Sequence, residues 1–489
     1  MMELKNLNKY TKLGILVIAI AIILRIFLMS TSTISGDACW HFSASKFIAD
    51  EGKFPLFEQI GRDEPFWPPP LFHIISSFSY SILGETGLKL VPLIFGSLAL
   101  IFSYLIFRKF LSERASFYAI LFMSFIPISI DYSILGYTDS ILPFFMILSI
   151  YLALNNRFIL SGVAVGLAIL TKYNGVFVIP VLIYIAYRYS KKNLIWRNIL
   201  FVVMIAGIIS LPWFIRNWAL LGNPVWPFLD FIFNGYSGSP RGTYSGLSLA
   251  LFSSIYTYIQ VYLGFFGVPD GAYWLLFFFD IPYIWPLITI FVIGTIIFMI
   301  PLFFGFKKDK DHRIFHIMLL SFLALFFLFE INVRPAASRI VLPAIFAAAF
   351  IYGVGMERIL KKYPKFGKVL TMLILAVIAG FTFSEVVKFN LATGSWNFYK
   401  DDFNWVKSNT NEDEVFLLGS QCLPLRLDRK AVFPSLSIDT DEYDYVWVNQ
   451  EFKLEPQSIL SDENLKKLEN KEMQLVYENK MTNTKIYKK

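Results

Sequence analysis

Apolar runs follow one another down this chain, and clusters of Lys and Arg recur at every second connection between them. The runs lie at about 13–30, 87–107, 115–130, 138–154, 158–170, 175–189, 198–215, 283–305, 314–330, 340–356 and 369–388. Most approach the ~20 residues that a helix needs to cross a bilayer. Basic residues gather at Lys5–Lys12, Arg108–Arg114, Arg188–Arg197, Lys307–Arg313 and Arg358–Lys368, all on one side if each run crosses once. Cytoplasmic loops carry such an excess. The chain therefore reads as an α-helical polytopic membrane protein of about 11–13 spans with its N-terminus in the cytoplasm. The upper figure allows for an aromatic stretch near 250–280, which could be interfacial helices or a further hairpin of spans.

Composition excludes the main competitors. Only 16% of the residues are charged and 56% are hydrophobic, whereas an ordinary soluble protein has about a quarter charged residues. The net charge of +8 is held in the short inner loops. It is therefore not the basic face of a nucleic-acid-binding protein. Leu13 to Met29 lacks a small-residue cleavage site and reads as an uncleaved span.

Residues 1–390 form the expected membrane domain, with a first outer loop at about 31–70 and a long outer loop at about 217–282. The segment 71–84 is short and Ser-rich, and reads as an amphipathic or partial helix rather than a full crossing. From about residue 391 the pattern becomes that of a small soluble α/β domain, 391–489. A short helix runs through Trp405, and strands are expected at Val415–Leu418, Tyr443–Val448, Met473–Tyr477 and Lys485–Tyr487. Ser461 would cap a charged helix ending near Asn470. Parity of the crossings places this domain outside the cytoplasm. The two cysteines, Cys39 and Cys422, both fall on that outer side, where a bond between them can form.

The same outer side collects the ionisable residues. The first outer loop opens with Ser35-Gly36-Asp37-Ala38-Cys39-Trp40-His41-Phe42 and closes with Asp63-Glu64-Pro65-Phe66-Trp67-Pro68-Pro69-Pro70-Leu71. In a helix, Asp37 and His41 would share a face. Asp37 could simply cap that helix, but a carboxylate there can also serve as a general base or hold a metal ion. Asp139, in Gly136-Tyr137-Thr138-Asp139-Ser140, carries the same pair of readings, as does Asp131. Lys172 is the lone cation between the fifth and sixth spans. It could snorkel to the interface or meet a lipid phosphate. Arg334 and Arg339 oppose the positive-inside trend, and guanidinium suits bidentate phosphate binding. His41, Trp67 and Tyr173 are candidates for holding substrate. Asp37, Glu64 and His73 could hold a divalent metal ion in mixed nitrogen and oxygen coordination.

On these residues the chain resembles the GT-C superfamily of membrane glycosyltransferases, above all the protein O-mannosyltransferases and the lipid A aminoarabinose transferases. Asp37 with His41-Phe42 resembles their first-loop acidic motif, although Ala38 stands where they have a second acid. Pro69-Pro70-Leu71 resembles their turn into the next helix, with Trp67-Pro68 in place of a preceding Lys or His. Asp139, Lys172 and Arg339-Ile340-Val341-Leu342-Pro343 match further members of the ordered set. The likeness covers about 1–390. It implies transfer of a single sugar, a mannose-type hexose foremost, from a polyprenyl- or dolichyl-phosphate carrier by inverting displacement. The acceptor would be a hydroxyl of a protein, glycan or lipid outside the cytoplasm. Asp37 and Asp139 would be catalytic, and Lys172, Arg339 and Arg334 would bind the lipid phosphate. The Trp-Trp-Asp motif of oligosaccharyltransferases is absent, so en bloc glycan transfer is not expected. The competing class is a many-span transporter or lipid flippase, for which half-to-half repeats and midplane polar groups would be expected.

Overall fold

The computed structural model describes residues 8–32, 34, 37–55, 66–226, 228–233, 284–306, 312–332, 339, 342–391, 396–418, 422–427, 429–432, 443–449 and 473–489. Helix α1 (Lys9–Thr31) starts where the Asn8 side chain accepts a hydrogen bond from the Tyr10 amide. Helix α2 (Asp37–Glu51) occupies much of the first outer loop, and α3 (Leu71–Leu83) follows Pro70. Gly84, at φ 59°, then ends α3, a backbone conformation open to glycine. Helix α3 has 13 residues, as a partial crossing requires. Helix α4 (Glu85–Phe110) returns, with Arg108 and Lys109 in its last turn where they oppose the helix dipole.

Proline sets the boundaries that periodicity alone misses. The expected third span divides into α5 (Glu113–Phe125) and α6 (Pro127–Asp131). Pro127 disfavours helical geometry at the residue before it, and Ile126 is accordingly extended, at φ −66° and ψ 128°. Pro143 and Pro180 likewise sit in the first turns of α7 (Leu142–Leu154) and α9 (Ile179–Tyr189). Their missing amides suit a helix start. The residues upstream form tighter 3-10 turns, Thr138–Ser140 and Tyr173–Val178. The expected spans at 138–154 and 175–189 are thus each a turn followed by a helix. Helix α8 (Phe158–Thr171) lies between them, and α10 (Ile195–Leu221) comes next. Further described helices of the membrane domain include α11 (Ile284–Gly305), α12 (Arg313–Asn332), α13 (Ala344–Lys362) and α14 (Pro364–Leu391).

Among the described residues, four helical stretches are long and apolar enough to cross a membrane: Lys9–Thr31, Glu85–Phe110, Lys192–Leu221 and Pro364–Phe383. Shorter apolar helices pack between them. Helix α8 lies against α10 through Gly162 and Gly166, where a Cβ would come within 3.0 Å and 2.7 Å of Ile205 and Ile209 side chains. Small residues four apart permit this backbone approach in a bundle that water does not drive together.

The C-terminal domain carries α15 (Lys400–Asn409), β1 (Val415–Leu417), α16 (Leu423–Leu427), β2 (Lys430–Val432), β3 (Tyr445–Asn449), β4 (Gln474–Asn479) and β5 (Thr484–Lys488). The sheet order is β2-β1-β3-β5-β4, parallel across the first three strands and antiparallel across the rest. The strands expected at 415–418, 443–448, 473–477 and 485–487 are present, whereas α16 and β2 were not anticipated. The helix expected at 461–470 lies outside the described residues. One core cluster runs without a break from Ala38, Cys39 and Phe42 of α2 to Phe403, Leu423 and Leu427 of this domain.

Asp402 fastens α15 to the β4–β5 hairpin. It is fully buried and accepts from the Tyr477 hydroxyl at 2.7 Å, Asn479 Nδ2 at 2.7 Å and the Thr484 hydroxyl at 3.1 Å. Asp402→Ala would strand these donors, at about 1–3 kcal/mol for each that stays dry. We expect that variant to lower the melting temperature of the purified protein by several degrees. An unchanged melting curve would show that the contacts contribute nothing.

Candidate active site

Four charged side chains from four separate places meet at one end of the bundle. Asp37 is the first residue of α2, Asp139 lies in the 3-10 turn before α7, Lys172 follows the last residue of α8, and Arg339 precedes α13. Arg339 Nη2 is 2.9 Å from Asp37 Oδ2, and its Nε is 3.8 Å from Asp139 Oδ2. Lys172 Nζ is 2.5 Å from Asp139 Oδ1. The result is a chain of alternating sign, Asp37–Arg339–Asp139–Lys172, with two carboxylates and two cations.

The backbone explains why these groups converge. Gly136 lies directly on the Phe42 ring of α2, and a Cβ at that position would run into it. This approach brings the Tyr137–Asp139 segment to the start of α2. The Arg339 guanidinium then sits 5.0 Å from the centre of the Tyr137 ring, within cation–π range. Asp139 is buried, whereas the Asp37 side chain is 46% exposed. Of the two carboxylates, Asp37 is therefore the one that an incoming group can reach. Burial lowers the pKa of Lys172, and Arg339 adds to this, against the opposing pull of Asp139. Burial also works against the charge on Arg339, but Asp37 and Asp139 outweigh it and hold the guanidinium pKa well above its ordinary value.

A second network fixes the proline-rich turn beside this set. Arg216 donates to the Phe66 carbonyl at 3.1 Å and the Pro55 carbonyl at 3.3 Å, while its guanidinium lies 4.6 Å from the centre of the Trp213 ring. The Tyr173 hydroxyl accepts from Trp213 Nε1 at 3.0 Å and Asn217 Nδ2 at 2.9 Å, and donates toward the Trp67 carbonyl at 3.4 Å. Tyr173, expected to hold substrate, thus commits its hydroxyl to the protein and anchors the Trp67 turn. The Trp67 ring lies 6.5 Å from Trp40 and 6.1 Å from Phe228, within an aromatic wall. Trp213, Arg216 and Asn217 were missed in the sequence reading. Their signal was a cation and an amide on successive residues at the end of an apolar helix.

His41 and His73 face each other, with Nδ1 of the first 3.0 Å from Nε2 of the second, and both are buried. His73 is therefore paired with another imidazole rather than grouped with carboxylates. Among the described residues no set of three or more His, Cys, Asp or Glu side chains is arranged to hold a metal ion. Of the expected Asp37, Glu64 and His73 metal site, Glu64 lies outside the described residues, as does Arg334. Another missed residue, Arg25, is fully buried in α1. It donates to the Ser124 carbonyl at 3.0 Å and the Ser129 hydroxyl at 3.2 Å, tying α1 to the break between α5 and α6.

The histidine pair makes acid stability measurable. Burial pushes His73 down to about 3, and burial together with His73, Arg339 and Lys172 pushes His41 well below its ordinary value. The unfolded chain takes up a proton on each ring near pH ~6.5, whereas the native chain does not. The unfolded state thus binds more protons, and stability falls as the pH drops through 6.5 toward the folded values. A His41→Phe/His73→Phe variant should show a shallower loss of melting temperature between pH 7.5 and 5 than the natural protein. An equal slope in both would contradict the assignment.

Comparison with known proteins agrees with this architecture. Residues 67–216 match the family model described as dolichyl-phosphate-mannose-protein mannosyltransferase. A search of curated protein sequences gives no match. Among solved structures, the chain is similar to ArnT from Cupriavidus metallidurans bound to undecaprenyl phosphate, with a TM-score of 0.65 at 14% identity over 97% of both chains. The same protein in the apo state gives a TM-score of 0.67. The archaeal oligosaccharyltransferase AglB from Archaeoglobus fulgidus, in complex with an inhibitory peptide and a dolichol-phosphate, gives 0.54 at 14% identity, over 90% of this chain and 69% of that one. The fold is ArnT-like, and the likeness covers 97% of the chain, the C-terminal domain included.

Proposed function

We propose that this chain is an integral membrane glycosyltransferase that moves one sugar from a polyprenyl-phosphate carrier to a hydroxyl outside the cytoplasm. The observation that carries the reading is Arg339, held between Asp37 and Asp139, with Lys172 on the far side of Asp139. Such a set can take up a phosphate by exchanging a carboxylate partner for it, and leaves a carboxylate next to the reacting centre. The matched family model and the carriers named for ArnT and AglB support the choice of donor.

In the reaction, Asp37 accepts the proton of the acceptor hydroxyl as that oxygen attacks the anomeric carbon. The bond from that carbon to the phosphate oxygen breaks on the opposite face, inverting the configuration. Charge develops on the departing polyprenyl phosphate, and Lys172 and Arg339 stabilise it there as preorganised cations. Asp139 positions both cations. His41 and Trp67 line the approach to Asp37. We assign Arg334 to the lipid phosphate as well, and a mannose-type hexose as the first donor to try. The basic inner loops support a cytoplasmic N-terminus, with this site and the C-terminal domain on the opposite side.

The test is to incubate purified protein with a panel of labelled polyprenyl-phosphate sugars and a mixture of protein, glycan and lipid acceptors. Release of the carrier phosphate from at least one donor, with an inverted glycosidic product, supports the reading. Movement of labelled lipid between leaflets without release would instead identify a flippase.

A further inference from the structure

The core that joins the two domains contains a covalent link. Cys39 and Cys422 form a disulfide with their Cα atoms 4.8 Å apart, bridging 383 residues of sequence, and both side chains are fully buried. Cys39 is two residues from Asp37 on α2, and Cys422 immediately precedes α16. A second tie lies four residues further on. Arg426 of α16 grips both carboxylate oxygens of Glu85 at the start of α4, with Nη2 2.9 Å from Oε1. Apolar contacts fill in between these ties, since Leu423 and Leu427 share a core cluster with Ala38 and Phe42.

We infer that the C-terminal domain is a working part of the reaction centre, the Cys39–Cys422 crosslink being the positioning element that holds the start of α2 where Asp37 meets Arg339. The inference rests on the glycosyltransferase reading for its kinetic consequence only. Its physical basis is leverage. Asp37 stands at the end of its helix with its side chain 46% exposed, and among the described residues Arg339 is the cation that pairs with it. A helix end frays unless it is tied, and the nearest tie within α2 is the disulfide. A shift of about 1 Å in a reacting group can cost about a hundredfold in rate. The crosslink also explains why a soluble module is docked to the membrane bundle through the catalytic helix.

The test uses the full-length protein and a Cys39→Ala/Cys422→Ala variant. Peptide mapping without reductant should first recover residues 39 and 422 in one linked pair from the natural protein. Hydrogen exchange of residues 37–51 should then be at least several-fold faster in the variant, while α8 and α10 exchange as before. Where transfer is measured, kcat should fall about 10–100-fold. The dissociation constant for the polyprenyl phosphate should stay within about twofold, because Lys172 and Arg339 are still in place. Free thiols in the natural protein, or unchanged exchange across 37–51, would overturn the inference. So would a variant with natural kcat. The exchange measurement needs no turnover, so a protein that transfers no sugar would remove the proposed function while leaving this result to stand or fall alone. A Glu85→Gln variant controls for misfolding: it weakens the second tie without touching the disulfide, and should loosen α2 to a smaller extent.

Discussion

Asp37→Asn should lower sugar transfer by about 10²–10⁴-fold, the range a positioned general base supplies, while polyprenyl phosphate binds as well as before or more tightly. The two halves of that expectation come from one contact. Asp37 is the exposed carboxylate of the set and is bonded to Arg339 at 2.9 Å. An asparagine of the same shape keeps the helix start but cannot accept the acceptor's proton. It also releases part of the hold on Arg339, which is then freer to meet phosphate. A variant that loses carrier binding together with rate would show that Asp37 serves only to position Arg339. Full activity in the variant would remove the catalytic role altogether. Asp139→Asn is not equivalent, because Asp139 is buried and touches both cations. Its loss should disturb rate and binding together.

Arg339→Ala should be about as damaging to rate and should differ in its signature. The side chain bridges two carboxylates and lies over Tyr137. Its removal leaves Asp37 without its described cationic partner and Asp139 with Lys172 alone among the described cations, and withdraws one of the groups that stabilise the leaving phosphate. Loss of a single preorganised donor of this kind typically costs about 10²–10³ in rate. Here the affinity for polyprenyl phosphate should fall as well. Arg339→Lys should recover only part, because an ammonium cannot present the planar fork that spans both carboxylates. Measured kcat and carrier-phosphate dissociation constants for the two Arg339 variants, beside those for Asp37→Asn, separate a proton acceptor from a phosphate clamp. Equal effects on both parameters at both positions would mean that the residues act only as a structural unit.

Much of this site could be read before any coordinates, and the reason is electrostatic. Charges are costly in a lipid-embedded chain, so Asp37, Asp139, Lys172 and Arg339 stood out against apolar surroundings, and their shared side followed from the alternation of basic loops. Helix positions were legible for the same reason. What could not be read was anything set by contact between distant segments. Tyr173 looked like a ligand-binding aromatic, and only the approach of α10 shows its hydroxyl held by Trp213 and Asn217. The pairing of His73 with His41, 32 residues upstream, has no sequence signal either. Arg25 passed as part of an apolar span because its partners, Ser124 and Ser129, are about a hundred residues away and the carbonyl it meets carries no sequence signal. The break at Ile126 was the exception: Pro127 announces it locally, and a purely hydropathic reading passed over it.

Everything functional here depends on the four converging charges forming the seat of a phosphate. An experimentally determined structure of the protein with a polyprenyl phosphate bound in nanodiscs tests this directly. The phosphate should lie within hydrogen-bonding distance of Lys172 Nζ and the Arg339 guanidinium, with Asp37 opened toward the side from which an acceptor enters. A phosphate bound elsewhere on the bundle, with the Asp37–Arg339 and Asp139–Lys172 pairs still closed, would contradict the account.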